Sequence, residues 1–188
     1  MLTHPKSSLH MGGLLSIVGT ALFLMVVIPL HFIQLGYNPR FQLLSELALG
    51  AYGWMMLFAF FGLALSAMGA GIIAYHTAKF PSVIWGFAAL CFLGAGIFPL
   101  GESDVLHISL IASAFVLSVL GMFVFARQSG KWASGKLSYL LAVGMTFSIF
   151  LGNSILDMGI AQRLAALCLL AWFVIIGYQG MRTAEETK

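Results

Sequence analysis

Residues 52–76 read YGWMMLFAFFGLALSAMGAGIIAYH, an unbroken run without Asp, Glu, Lys or Arg. The hydrocarbon core of a bilayer is about 30 Å thick, and an α-helix rises about 1.5 Å per residue. Roughly 20 apolar residues therefore cross it, and this run is long enough. It shows no period-2 alternation, so it is a helix and not a barrel strand. Five more runs of the same kind flank it, at about 11–32, 82–100, 105–126, 137–154 and 160–181. The first is too long for a signal-peptide core and no small-x-small cleavage site follows it, which predicts a retained helix.

The whole chain agrees with that reading. It has 188 residues, 61% of them hydrophobic and 8% charged, with a mean hydropathy of +1.01. Soluble domains carry about 45–50% apolar and about 25% charged residues. A soluble enzyme, a nucleic-acid binder and a disordered chain are thereby excluded. The expected fold class is an all-α polytopic integral membrane protein, a six-transmembrane-helix bundle forming one domain over 1–188.

Basic residues set the expected orientation. Lys6, Lys79, Arg127, Lys131, Lys136, Arg182 and Lys188 fall at the termini and in the second and fourth loops, while the other loops hold only Arg40 and Arg163. The positive-inside rule then puts both termini in the cytoplasm and makes the inner (plasma) membrane the expected location. Tyr37, Tyr52 and Trp54 on one side, with Tyr75, Trp85, Trp132, Tyr139 and Tyr178 on the other, read as interfacial belts. Cys91 and Cys168 lie in apolar runs and read as small fillers.

Small residues mark helix faces able to pack closely in lipid. They form ridges at Gly12, Ser16 and Thr20, at Gly62, Ser66 and Ala70, and at Gly144, Ser148 and Gly152. The loop after the first span reads as an amphipathic helix over about 38–50. Asn38 suits its N-cap, Pro39 its first turn and Gly50 its end. Such a helix lies at the outer interface or folds over the bundle as a lid.

No Asp, Glu, Lys or Arg lies near the middle of a span, which weighs against an ion-coupled pump. The expensive residues gather at the outer rim instead: His31, Arg40, Glu46, Glu102, Ser103, Asp104, His107, Asn153, Asp157, Gln162 and Arg163. Pro29 and Pro99 near that end each leave the carbonyl four residues back without its donor. Asp104 and His107, three apart on a helix, share a face. They suit a carboxylate-oriented acid–base pair, two ligands of a metal completed by His31 or Glu46, or a polar helix start with Ser103 or Asp104 as cap. Arg163 suits a phosphate clamp, an ion pair with Asp157, Glu46 or Asp104, or snorkelling to headgroups.

Across these residues the chain resembles a bacterial and archaeal membrane family, the domain of unknown function 998. The likeness rests on Gly36-Tyr37-Asn38-Pro39, Ser45-Glu46-Leu47 with Gly53-Trp54, Phe98-Pro99 followed by an acid and His107, and Gln162-Arg163 before Trp172. It departs where Leu100-Gly101 separate Pro99 from the acids Glu102 and Asp104. The resemblance implies a single six-helix domain and gives added weight to Glu46, Asp104, His107 and Arg163.

The functional expectation is a membrane protein of unknown activity that binds a lipid headgroup or small polar ligand in an outward-facing vestibule. Its expected ligand-binding residues are His31, Glu46, Asp104, His107, Asp157 and Arg163. Whether it is an enzyme is left open. One alternative is a membrane-embedded lipid hydrolase or transferase with Asp104 and His107 catalytic, or with a metal. Another is an accessory subunit of a membrane complex. The lipid bilayer is the expected partner, nucleic acid is not, no phosphate-binding loop is present, and the sequence specifies no cofactor, resident metal or oligomeric state.

Overall fold

The computed structural model describes residues 5–76, 79–128, 134–152 and 154–186. His4, Lys131, Trp132, Asn153 and Lys188 lie outside the described residues. Six α-helices account for most of the described residues: α1 (Pro5–Ile33), α2 (Met56–Tyr75), α3 (Lys79–Ile97), α4 (Asp104–Gln128), α5 (Ser134–Leu151) and α6 (Met158–Glu186). Two 3₁₀ segments, Leu44–Leu49 and Gly53–Met55, precede α2. No strand is present among the described residues. Among the described residues, five helical segments are long and apolar enough to cross a membrane, and Pro81–Ile97 adds a shorter apolar one. The protein is an all-α polytopic membrane bundle.

Each helix packs on its neighbours in sequence and α6 returns to α1, closing a ring, while α2 also reaches α6 across it. The chain runs antiparallel at every step. Gly13 near the start of α1 meets Gly177 near the end of α6, and His31 at the other end of α1 meets Arg163 near the start of α6. Both termini therefore share one end of the bundle. The opposite end, with residues 34–55, is called the rim below.

The small-residue ridges of α1 and α2 face each other. A Cβ added at Gly62 would lie 2.6 Å from the Gly19 carbonyl oxygen, so the two backbones touch. Close approach lets short hydroxyls bridge the helices, since a polar group in lipid needs a protein partner. Ser66 donates to the Ser16 carbonyl at 2.9 Å and its Oγ lies 3.1 Å from that of Thr20. Ser16 in turn donates to the Phe173 carbonyl of α6 at 2.9 Å.

Three expectations are corrected. The span expected at 82–100 is α3, Lys79–Ile97, so Pro99 stands beyond its helix and terminates it. Trp85 is not an interfacial residue: it is fully buried and stacks on Trp172, ring centroids 4.5 Å apart. The Trp172 indole donates to Ser138 Oγ at 2.8 Å. The amphipathic α-helix expected over 38–50 does not form. A turn at 38–42, with Phe41 and Gln42 N–H bonded to the Asn38 carbonyl, leads to the 3₁₀ segment Leu44–Leu49.

Side chains have taken over the backbone bonds of that segment. Gln42 Oε1 accepts from Asn38 N–H at 2.6 Å, Glu46 Oε1 from Leu43 N–H at 2.8 Å, and Gln162 Oε1 from Leu44 N–H at 2.6 Å. With those donors taken, an α ladder cannot run through the segment. The segment is not amphipathic in the expected way: Phe41 is exposed, whereas Ser45 and Leu47 are buried.

Candidate functional site: a polar cover over an apolar cavity

Arg163, one turn into α6, organises the rim. Nη1 donates to the carbonyls of Gln42 (2.9 Å) and Gly159 (2.8 Å), and Nη2 donates to His31 Nε2 (3.0 Å) and to Tyr37 Oη. Nε donates, at 3.3 Å, to the same His31 nitrogen. A guanidinium has five N–H donors, and all are committed to protein. The cation also lies over the Tyr37 ring, 5.6 Å from its centroid. None of the acids expected as its partner touches it.

His31 is held as the neutral tautomer. Nδ1 donates to the Val27 carbonyl at 2.7 Å, and Nε2 accepts from Arg163. Tyr37 donates to the Leu43 carbonyl at 2.9 Å. Burial pushes its phenol above the ordinary value of 10.0, against the pull of Arg163. Glu46 spends one oxygen on Leu43 N–H and the other on Gln42 Nε2, 3.1 Å away. Together these groups pin residues 37–46 onto the start of α6. Gly159 permits the contact, because a Cβ there would lie 2.6 Å from the Arg40 carbonyl and 2.7 Å from that of Gln42.

Asp157 pairs with Arg40 instead of Arg163. That hydrogen bond, followed by the charge of Asp157, raises the Arg40 pKa above its ordinary value. Asp104 is exposed and accepts from the Gly101 N–H at 2.6 Å, which closes the turn into α4. It does not orient His107. Among the described residues, no three His, Cys, Asp or Glu side chains converge as a metal site requires.

His107 lies apart from the rim network and is 1% exposed. Pro99 carries no N–H, so the Ala95 carbonyl loses its helical donor. His107 Nδ1 supplies the substitute, at 2.9 Å from the Ala95 oxygen and 3.0 Å from that of Phe98. Both partners are acceptors, so Nδ1 carries a proton, and in the neutral ring Nε2 keeps its lone pair. Nε2 is buried and has no partner. Phe60 meets the ring edge-on, centroids 5.4 Å apart.

The His107 ring lines a cavity of about 380 Å³ beneath the cover. Its roof is Leu43, Leu44 and Ser45, and its walls come from every helix, with Phe23, Phe60, Phe92, Phe115, Met145 and Leu169 representative. Gln162 reaches it as well, with its Oε1 already bonded to Leu44 N–H. On α4, Ile108 and Val116 line the cavity yet are exposed, so this wall opens to the outside of the bundle.

Of the six expected ligand residues, the structure brings His31 and Arg163 into contact and sets Glu46 in the same cover. Asp104 and Asp157 fasten separate loops, and His107 faces the cavity. Sequence reasoning passed over Tyr37 as a site residue and gave Gln42 and Gln162 no role in holding the cover. The signal was Tyr37 within a turn-forming Gly-Tyr-Asn-Pro stretch, too polar a position for a simple belt residue.

Comparison with curated proteins and with solved structures returns no match. A family model does match, and the residues it covers, 17–179, include the ridges at Gly62 and Gly144, the cover and the cavity. The chain belongs to the family described as "Protein of unknown function (DUF998)".

Proposed function

We propose that this protein holds a membrane-derived amphiphile in the cavity between its helices, beneath a fixed polar cover. The observation that carries this reading is the cavity of about 380 Å³, largely apolar in its walls, with His107 among its lining residues. Protein interiors hold few voids larger than a water molecule. Ligand sites are commonly apolar clefts of about 300–1,000 Å³ with a few placed polar groups. The open wall at α4 favours entry from lipid.

The expected headgroup vestibule is thereby moved inward. His31, Glu46 and Arg163 serve by holding the roof, Asp104 and Asp157 by fastening loops, and His107 by facing the ligand. The distribution of basic residues supports a plasma-membrane location with both termini cytoplasmic and the rim outside.

Native mass spectrometry of protein extracted in mild detergent tests the reading. The wild type is expected to carry a bound amphiphile, and Ala166→Phe, which fills the cavity from α6, to lose it. A wild type without adduct, or a variant that keeps it, contradicts the proposal. Reporter fusions at the C-terminus check the orientation: a folded cytoplasmic fluorophore is expected, and an active periplasmic phosphatase contradicts it.

A further inference from the structure

We infer that the cavity selects an amphiphile with an uncharged head carrying an O–H group, and that this group donates its hydrogen to His107 Nε2. The inference rests on the ligand-holding reading above and names the chemistry of the ligand.

It starts from a polar atom the fold leaves over: of the six buried side-chain polar atoms without a partner among the described residues, only that of His107 belongs to a residue lining the cavity. Buried acceptors in folded proteins are almost always paired with protein, water or ligand. His107 Nε2 is buried without a partner, on a ring that lines the cavity. Its character is fixed from the far side, because the carbonyls of Ala95 and Phe98 hold the proton on Nδ1. In the neutral ring the Nε2 edge is therefore an acceptor and calls for a donor. An ether or a methyl ester offers none.

Charge narrows the class further. A phosphate or sulfate head needs cations or several N–H donors. None of the cavity-lining residues is Lys or Arg. Arg163, the nearest candidate in the cover, has every N–H engaged by His31, Tyr37, Gln42 and Gly159. Arg40 is bound to Asp157. An anionic head would enter a largely apolar space with no cation to compensate it, at a high desolvation cost. A neutral hydroxyl meets one acceptor and leaves nothing unpaired.

The chain has a place to lie as well. From His107 the lining runs along α4 to Val116, nine residues on and about 13 Å deeper at 1.5 Å per residue. A head at His107 thus sits under the roof, with its chain pointing toward the middle of the bundle.

The test uses the full-length protein in phosphatidylcholine nanodiscs, titrated with dodecanol, dodecyl methyl ether and dodecyl phosphate. Binding is read from the side-chain ¹⁵N resonances of labelled histidines. Dodecanol is expected to shift the His107 Nε2 signal and to bind about tenfold more tightly than the ether, the usual weight of one hydrogen bond to a buried acceptor. Dodecyl phosphate is expected to bind more weakly than the alcohol.

His107→Asn retains a donor toward the carbonyls of Ala95 and Phe98 but lacks Nε2. In this variant, followed by native mass spectrometry, alcohol and ether are expected to bind equally. Equal binding of the two in the wild type overturns the hydrogen-bond inference, and so does tighter binding of the phosphate. If Ala166→Phe still abolishes all binding, the cavity reading survives that result. If none of the probes binds the wild type, the inference and the reading beneath it both fall.

Discussion

His107 Nδ1 lies 2.9 Å from the carbonyl oxygen of Ala95 and so stands in for the backbone donor that Pro99 lacks. One contact thus satisfies the carbonyl that Pro99 frees at the end of α3 and puts a proton on the Nδ1 side of a ring whose residue lines the cavity. Removing the ring by His107→Ala leaves the carbonyls of Ala95 and Phe98 without their donor. The expected loss of stability is about 1–3 kcal/mol, seen as a lower thermal midpoint in detergent. His107→Asn is expected to recover most of it. Equal losses in the two variants would show that the cap is not the source.

Arg163 holds the cover through directed bonds that a point charge cannot reproduce. Arg163→Lys keeps the charge and gives up most of these contacts with His31, Tyr37, Gln42 and Gly159. Amide exchange at Leu43, Leu44 and Glu46 is expected to quicken roughly tenfold, the equivalent of one net hydrogen bond. Exchange in the α1–α2 interface is expected to stay as it was. Hydrogen-exchange mass spectrometry reads both regions in one experiment.

Tyr37 makes the cover sensitive to alkali. Burial raises its phenol above 10.0, so the folded state binds the phenolic proton more tightly than the unfolded chain. The stabilisation is complete below the unfolded value and is lost as pH rises through the folded one. Thermal midpoints of the wild type are expected to fall more steeply above about pH 10 than those of Tyr37→Phe. Parallel curves would remove Tyr37 from the explanation.

At Gly62 the helices leave no room for a side chain. An added Cβ would lie 2.6 Å from the Gly19 oxygen and 2.9 Å from the Phe23 nitrogen, both backbone atoms. Gly62→Ala is expected to force α1 and α2 apart and cost about 1–3 kcal/mol. Gly86, where an added Cβ meets nothing within 4 Å, is the control. Ala at Gly86 is expected to leave the thermal midpoint unchanged or to raise it slightly.

The helices were legible because lipid imposes a simple condition, that apolar runs must be long enough and satisfy their own backbones. The ridges at Gly12 and Gly62 were legible for a related reason, since only small residues permit that approach. The cover was misread. Gln42, Glu46 and Gln162 bond to backbone N–H groups, and such side-chain competition is invisible to an amphipathic count. Asp104 and His107 share a helix spacing, yet the freed Ala95 carbonyl captured the imidazole. Pro99 announced that carbonyl, but only the fold revealed which donor reaches it. The cavity could not be read at all, because it depends on how six helices fill space together.

The most direct measurement is an electron cryomicroscopy map of the protein extracted in its native lipids. Elongated density is expected in the cavity along α4, with one end within hydrogen-bonding distance, about 3 Å, of His107 Nε2. A cavity without such density, or a headgroup seated instead on Arg163 at the rim, would contradict it.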